Sequence, residues 1–145
     1  MGRVYNFSAG PAVLPESVLK EARNITVEKC EFSLRYPLWH VDSFRLLDSS
    51  MDELTRAAIW YAKHGEIVNS KLHGIKVVRE CEDITLRGCD INSPEFGWKC
   101  NHVTMEDTTI NSEYIFFDSK NEKKNILKLI NYNDKNYDMN YNMEL

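Results

Sequence analysis

Short runs in which apolar residues stand two apart, each closed by a polar turn, recur along most of this chain. Aligning residues 24–30 with 43–49, 64–70, 83–89 and 102–108 puts Ile25, Phe44, Gly65, Ile84 and Val103 in one column. Val27, Leu46, Ile67, Leu86 and Met105 fill the next. A column of small residues follows (Cys30, Ser49, Ser70, Cys89, Thr108), then an apolar one (Phe32, Met51, Leu72, Ile91, Ile110). Successive copies lie 19, 21, 19 and 19 residues apart. Period-two alternation in runs this short marks strands rather than helices. Helical repeats need about 33 residues or more, and the Leu/Asn ladder of leucine-rich repeats is missing. The pattern therefore predicts an all-β fold, a right-handed parallel β-helix in which equal columns stack as ladders.

A second half-pattern rides on the same register. Trp39, Trp60, Arg79, Trp98 and Phe117 share a column, with Val41, Ala62, Cys81, Cys100 and Ser119 two residues later. Because those neighbours are mostly apolar or small, the aromatic column reads as a structural ladder facing the interior. The two extra residues of the long repeat fall between Met51 and Trp60, where residues 52–56 are expected to bulge without shifting the ladders. About five coils span residues 23–121, roughly 24 Å of solenoid at about 4.8 Å per coil. Beyond Asn121 the columns would demand apolar residues where Glu122 and Lys124 stand, so residues 122–145 read as an off-register polar tail. Within it, residues 126–130 suit a last strand or a short helix. Residues 1–22 form a leader that is not a complete domain.

Composition narrows the partners. The 145 residues carry 18 Lys and Arg against 22 Asp and Glu, a net charge of -4, which leaves no cation surplus for nucleic acid or an anionic membrane. No apolar run is long enough for a secretory core or a spanning helix, which predicts a cytoplasmic protein. Four cysteines show no C-x-x-C spacing, so no metal site is expected and free thiols are. Cys81 and Cys100 fall on adjacent coils, close enough for a disulfide that a reducing compartment would keep open.

Two resemblances emerge at different scales. The run Val4-Tyr5-Asn6-Phe7-Ser8-Ala9-Gly10-Pro11-Ala12-Val13-Leu14-Pro15 resembles the start of phosphoserine aminotransferase, a pyridoxal-phosphate enzyme much longer than this chain. Its imine-forming lysine context has no counterpart here, so transamination and its cofactor are not expected. Roughly residues 16–121 resemble an uncharacterised family of parallel β-helix proteins with a pectin-lyase-like fold. Arg35-Tyr36-Pro37-Leu38-Trp39, Arg56-Ala57-Ala58-Ile59-Trp60-Tyr61 and Phe96-Gly97-Trp98-Lys99-Cys100-Asn101 carry that resemblance. Members of that family are longer, which implies a truncated product and a hybrid joined near residues 16–22. Residues 15–22 suit either the opening helix of the first family or a strand of a partial coil; coil continuity favours the strand.

The chemistry read from the columns is sparse. Glu28, Asp48, Glu106 and Asp107 are scattered, and Asp48 lies three coils from Asp107, about 14 Å by strand spacing and too far for a glycosidase pair. No G-x-S-x-G elbow and no glycine-rich phosphate loop occurs. The expectation is a non-enzymatic repeat module with no catalytic residues and no cofactor. The alternative is a carbohydrate-binding or polysaccharide-processing β-helix using Tyr36, Tyr61 and Tyr114. Exposed coil ends predict self-association.

Overall fold

A computed structural model describes residues 23–130. The leader, with its helix-or-strand alternative, and the residues after 130 lie outside the described residues. Thirteen strands follow one another: β1 (Arg23–Glu28), β2 (Glu31–Phe32), β3 (Asp42–Leu47), β4 (Ser50–Met51), β5 (Lys63–Val68), β6 (Lys71–His73), β7 (Val77–Arg79), β8 (Glu82–Arg87), β9 (Asp90–Asn92), β10 (Glu95–Trp98), β11 (Asn101–Asn111), β12 (Tyr114–Ile115) and β13 (Lys123–Ile130). Every pairing between them is parallel. Among the described residues there is no helix, hence none long and apolar enough to cross a membrane.

The result is a β-solenoid of about five coils, beginning at Arg23, Asp42, Lys63, Glu82 and Asn101. The first face stacks β1, β3, β5, β8 and the leading half of β11. The second stacks β2, β4, β6, β9 and the trailing half of β11, so β11 runs through the corner and joins the two faces. The third stacks β7, β10 and β12, continued into the earlier coils by bridges from Arg35 to Arg56, Arg56 to Ile75 and Trp60 to Arg79. The registers Ile25–Phe44–Gly65–Ile84–Val103 and Val27–Leu46–Ile67–Leu86–Met105 are those of the sequence columns. Leu46, Ile67, Leu86, Leu72, Ile91 and Ile110 are fully buried in the interior.

Two polar columns make the corners. Lys29, Asp48, Asn69, Gly88 and Asp107 all sit at φ between 46° and 60°, as do Asn24, Ser43, His64, Asp83, His102 and Asn121 at 51° to 60°. Asn, Asp and Gly tolerate this left-handed region best, which accounts for their dominance there. The small-residue column seals the first of these corners. The Ser49 hydroxyl accepts the Cys30 N–H (3.1 Å) and donates to the Leu47 carbonyl (2.7 Å), and Ser70 repeats the arrangement one coil on. A residue without a hydroxyl at Ser49 or Ser70 would take away the partner of that turning amide.

The extra two residues of the second coil loop out after Met51. Asp52 Oδ1 accepts the Leu54 N–H at 3.0 Å and the Thr55 hydroxyl at 3.3 Å, and by Arg56 the ladder is back in step. At the other end, the expectation of an off-register segment from residue 122 meets a different outcome over Lys123–Ile130. That stretch is β13, paired with β11 at the 19-residue offset from Thr104–Lys123 to Asn111–Ile130, with an irregularity beside Thr108. Backbone hydrogen bonds do not depend on which side chain occupies a column, so the ladder continues where the apolar pattern stops.

Candidate functional site

The third face carries the most unusual side chains on the molecule. Trp60 pairs with Arg79 and Arg79 with Trp98 in the backbone ladder, and the column continues to Trp39 and Phe117. Its placement differs from the interior position expected from spacing. Trp39, Trp60, Arg79 and Trp98 are only half-buried, and Phe117 is 44% exposed. The cause lies in the backbone. Each column residue is flanked on both sides by left-handed residues: Leu38 and His40, Ile59 and Tyr61, Val78 and Glu80, Gly97 and Lys99, Phe116 and Asp118. Strict inward and outward alternation holds for extended chain alone. Here the left-handed steps turn the column outward while Val41, Ala62, Cys81 and Cys100, two residues later, stay buried.

The outward column is a continuous stack. The Arg79 guanidinium lies 5.7 Å from the centroids of both Trp60 and Trp98, a cation held between two indoles. Tyr61 stacks on Trp60 at 4.9 Å with an interplanar angle of 15°, and His40 stacks on Tyr61 at 4.8 Å. Tyr36 lies 6.3 Å from Trp39 and 6.1 Å from Trp60, and Phe117 meets Trp98 at 5.0 Å. The Arg79 Nε donates to Glu80 at 3.1 Å. Burial raises the Glu80 pKa, but its bonds from Arg79 and Tyr61 outweigh that and hold the carboxyl below its ordinary value. The same carboxylate pushes the Tyr61 phenol up. Burial against Trp39 and Tyr61 lowers the His40 pKa.

Of the three tyrosines singled out, the fold brings two together. Tyr36 and Tyr61 both border Trp60. Tyr114 shares the Tyr36 column but stands four coils away, about 19 Å along the axis, opposite Glu95 in the ladder. The scattered acids have local roles: Asp48 and Asp107 are corner residues, and Glu106 pairs with Arg87. Cys81 and Cys100 are free thiols that donate to main-chain carbonyls, and burial pushes the Cys81 thiol well up.

A second cluster, missed in the sequence, lies on the first face. There a shallow hollow of about 280 Å³ is lined by Asp83, Thr85, His102, Thr104, Asn121 and Lys123. His64 sits beside it, with Nδ1 2.7 Å from Asp42 and Nε2 3.6 Å from Asp83. The signal was present, since His64, Asp83 and His102 occupy one column at steps of 19.

Residues 8–145 match a family described as protein of unknown function, DUF3737. The chain belongs to that family. No curated protein and no solved structure matches it. The DUF3737 match takes in most of the leader and all of the polar tail as well as the solenoid.

Proposed function

We propose that this chain is a non-catalytic β-solenoid module whose third-face aromatic column braces the coil stack. One observation carries the reading: the column's rings are already engaged with one another, Trp60 meeting both the Tyr61 ring and the Arg79 guanidinium. The indole nitrogens of Trp39 and Trp98 are also buried, so they offer no donor to a hydroxyl-rich ligand as they stand. Replacing Arg79 by Met keeps the stem and removes the cation. Bracing predicts a stability loss of about 0.5–2 kcal/mol, read by urea unfolding, with no glycan retained on an array at millimolar concentration.

The second reading is a carbohydrate-binding module, favoured by the outward turn of the stripe and by the exposure of Tyr61 (37%) and Phe117 (44%). It requires a glycan that binds wild type and is lost in Tyr61→Ala without a change in melting temperature. Product release from a uronate polymer in the same assay would instead support a polysaccharide-processing protein.

Three parallel-stacked faces around the axis support kinship with pectin-lyase-like solenoids. The family match beginning at residue 8 favours a single family chain over a hybrid with an aminotransferase leader. Free thiols at four positions suit a reducing, cytoplasmic compartment. End-to-end stacking between copies is the partner this architecture suggests, and sedimentation that stays monomeric across a concentration series removes it.

A further inference from the structure

His64 stands in the corner column between the third and first faces, in left-handed conformation at φ 51°. Its imidazole lies between carboxylates of the coils before and after it. Nδ1 lies 2.7 Å from Asp42 Oδ1 in the second coil, and Nε2 lies 3.6 Å from Asp83 Oδ2 in the fourth. A neutral imidazole has one N–H and one lone pair. With the N–H given to Asp42, the lone pair would face a second carboxylate, which is repulsive. Only the imidazolium presents a donor to both.

We propose that His64 is a proton-operated clasp, holding the second, third and fourth coils together at this corner when charged and releasing them when neutral. The groups around it fit this role. From β3 comes Asp42, itself 3.9 Å from Arg23 of β1. From β8 come Glu82 and Asp83, with Glu82 paired to Lys63 of the histidine's own strand at 3.0 Å. Glu66 on that strand is taken by Arg45 and Arg87. From β11, His102 Nδ1 approaches the other oxygen of Asp83 at 3.5 Å. The two imidazoles thus address different oxygens of one carboxylate and share no point of coordination, so a proton suits the place and a metal ion does not.

The electrostatics run in the required direction. The hydrogen bond to Asp42 is the largest influence on His64 and raises its pKa above 6.5, with the charges of Asp42, Asp83 and Glu82 adding to it. A histidine raised in the folded state contributes stability that is complete below its unfolded value and lost as pH climbs through the folded one. Asp42 is lowered chiefly by the same bond, so its share is lost only as pH falls through its folded value. The clasp therefore works wherever Asp42 is ionised and His64 still holds its proton, from the lowered carboxylate value up to the raised histidine value.

Melting temperatures of wild type and His64→Gln, taken at about pH 6 and about pH 8.5 on either side of the histidine range, test it. The expected result is a gap between the two proteins at the lower pH that closes at the higher. Ring NMR titration of wild type is expected to place His64 above 6.5, and in Asp83→Asn below its wild-type position. A gap of equal size at both pH values, or His64 titrating at or below 6.5 in wild type, overturns the proposal.

Discussion

Phe44 and Gly65 occupy one column on adjacent coils and share one volume. A methyl group built on Gly65 would lie 2.2 Å from the Phe44 ring and 3.0 Å from Ile84 Cδ1, so the ring fills the space a side chain would have taken. Gly65→Ala should therefore cost about 1–3 kcal/mol, the usual range for overpacking a filled core, measured by urea unfolding. Adding Phe44→Val should recover part of that loss, because the smaller side chain returns the space. By sequence Gly65 is the smallest member of its otherwise apolar column. It is also the complement of the largest, a relation between neighbouring coils that a column-by-column reading does not weigh. Gly97 plays the same part for Phe116, whose ring would lie 2.6 Å from an added methyl.

At the scale of elements, the first two faces were legible because they are extended chain. Apolar positions two apart read directly into β1, β3, β5 and β8, and the corner columns announced themselves by Asn, Asp and Gly. The third face was legible in register but not in orientation. The left-handed positions just before the stripe are held by Leu38, Ile59, Val78 and Phe116, bulky residues that give no hint of positive φ, with Gly97 the exception. Hydrophobicity alone thus named the right column and put it on the wrong side of the wall. The polar hollow was hidden for a related reason: histidines spread across coils become a cluster only after the ladder has been closed. The loop after Met51 shows how far register outranks length. Arg56 bridges both Arg35 and Ile75, so the ladder is in step on either side of the insertion, and Leu54 is 65% exposed. Deleting Glu53 and Leu54 should leave a cooperative thermal transition and an unchanged β-type circular dichroism spectrum. A lost transition would mean that the Asp52 turn helps to set the register.

Across the whole molecule, each coil touches the coils directly before and after it, so stability should pass along the axis from neighbour to neighbour. Burial follows the same logic among the described residues: Leu86 in the fourth coil is fully buried between Ile67 and Met105, whereas Val27 in the first is paired there with Leu46 alone and is 8% exposed. Leu86→Ala opens a cavity with ordered coils both above and below it and should cost about 2–5 kcal/mol, while Val27→Ala should fall below that range. Native-state hydrogen exchange separates local from global effects. Leu86→Ala should lower amide protection through the third, fourth and fifth coils together, because removing the middle rung uncouples the two that pack on it. Val27→Ala should lower protection mainly in the first coil, since the second still has its partner in the third. Equal loss everywhere in both variants would mean that the stack opens only as one unit, with coupling between coils stronger than the stability of any single coil.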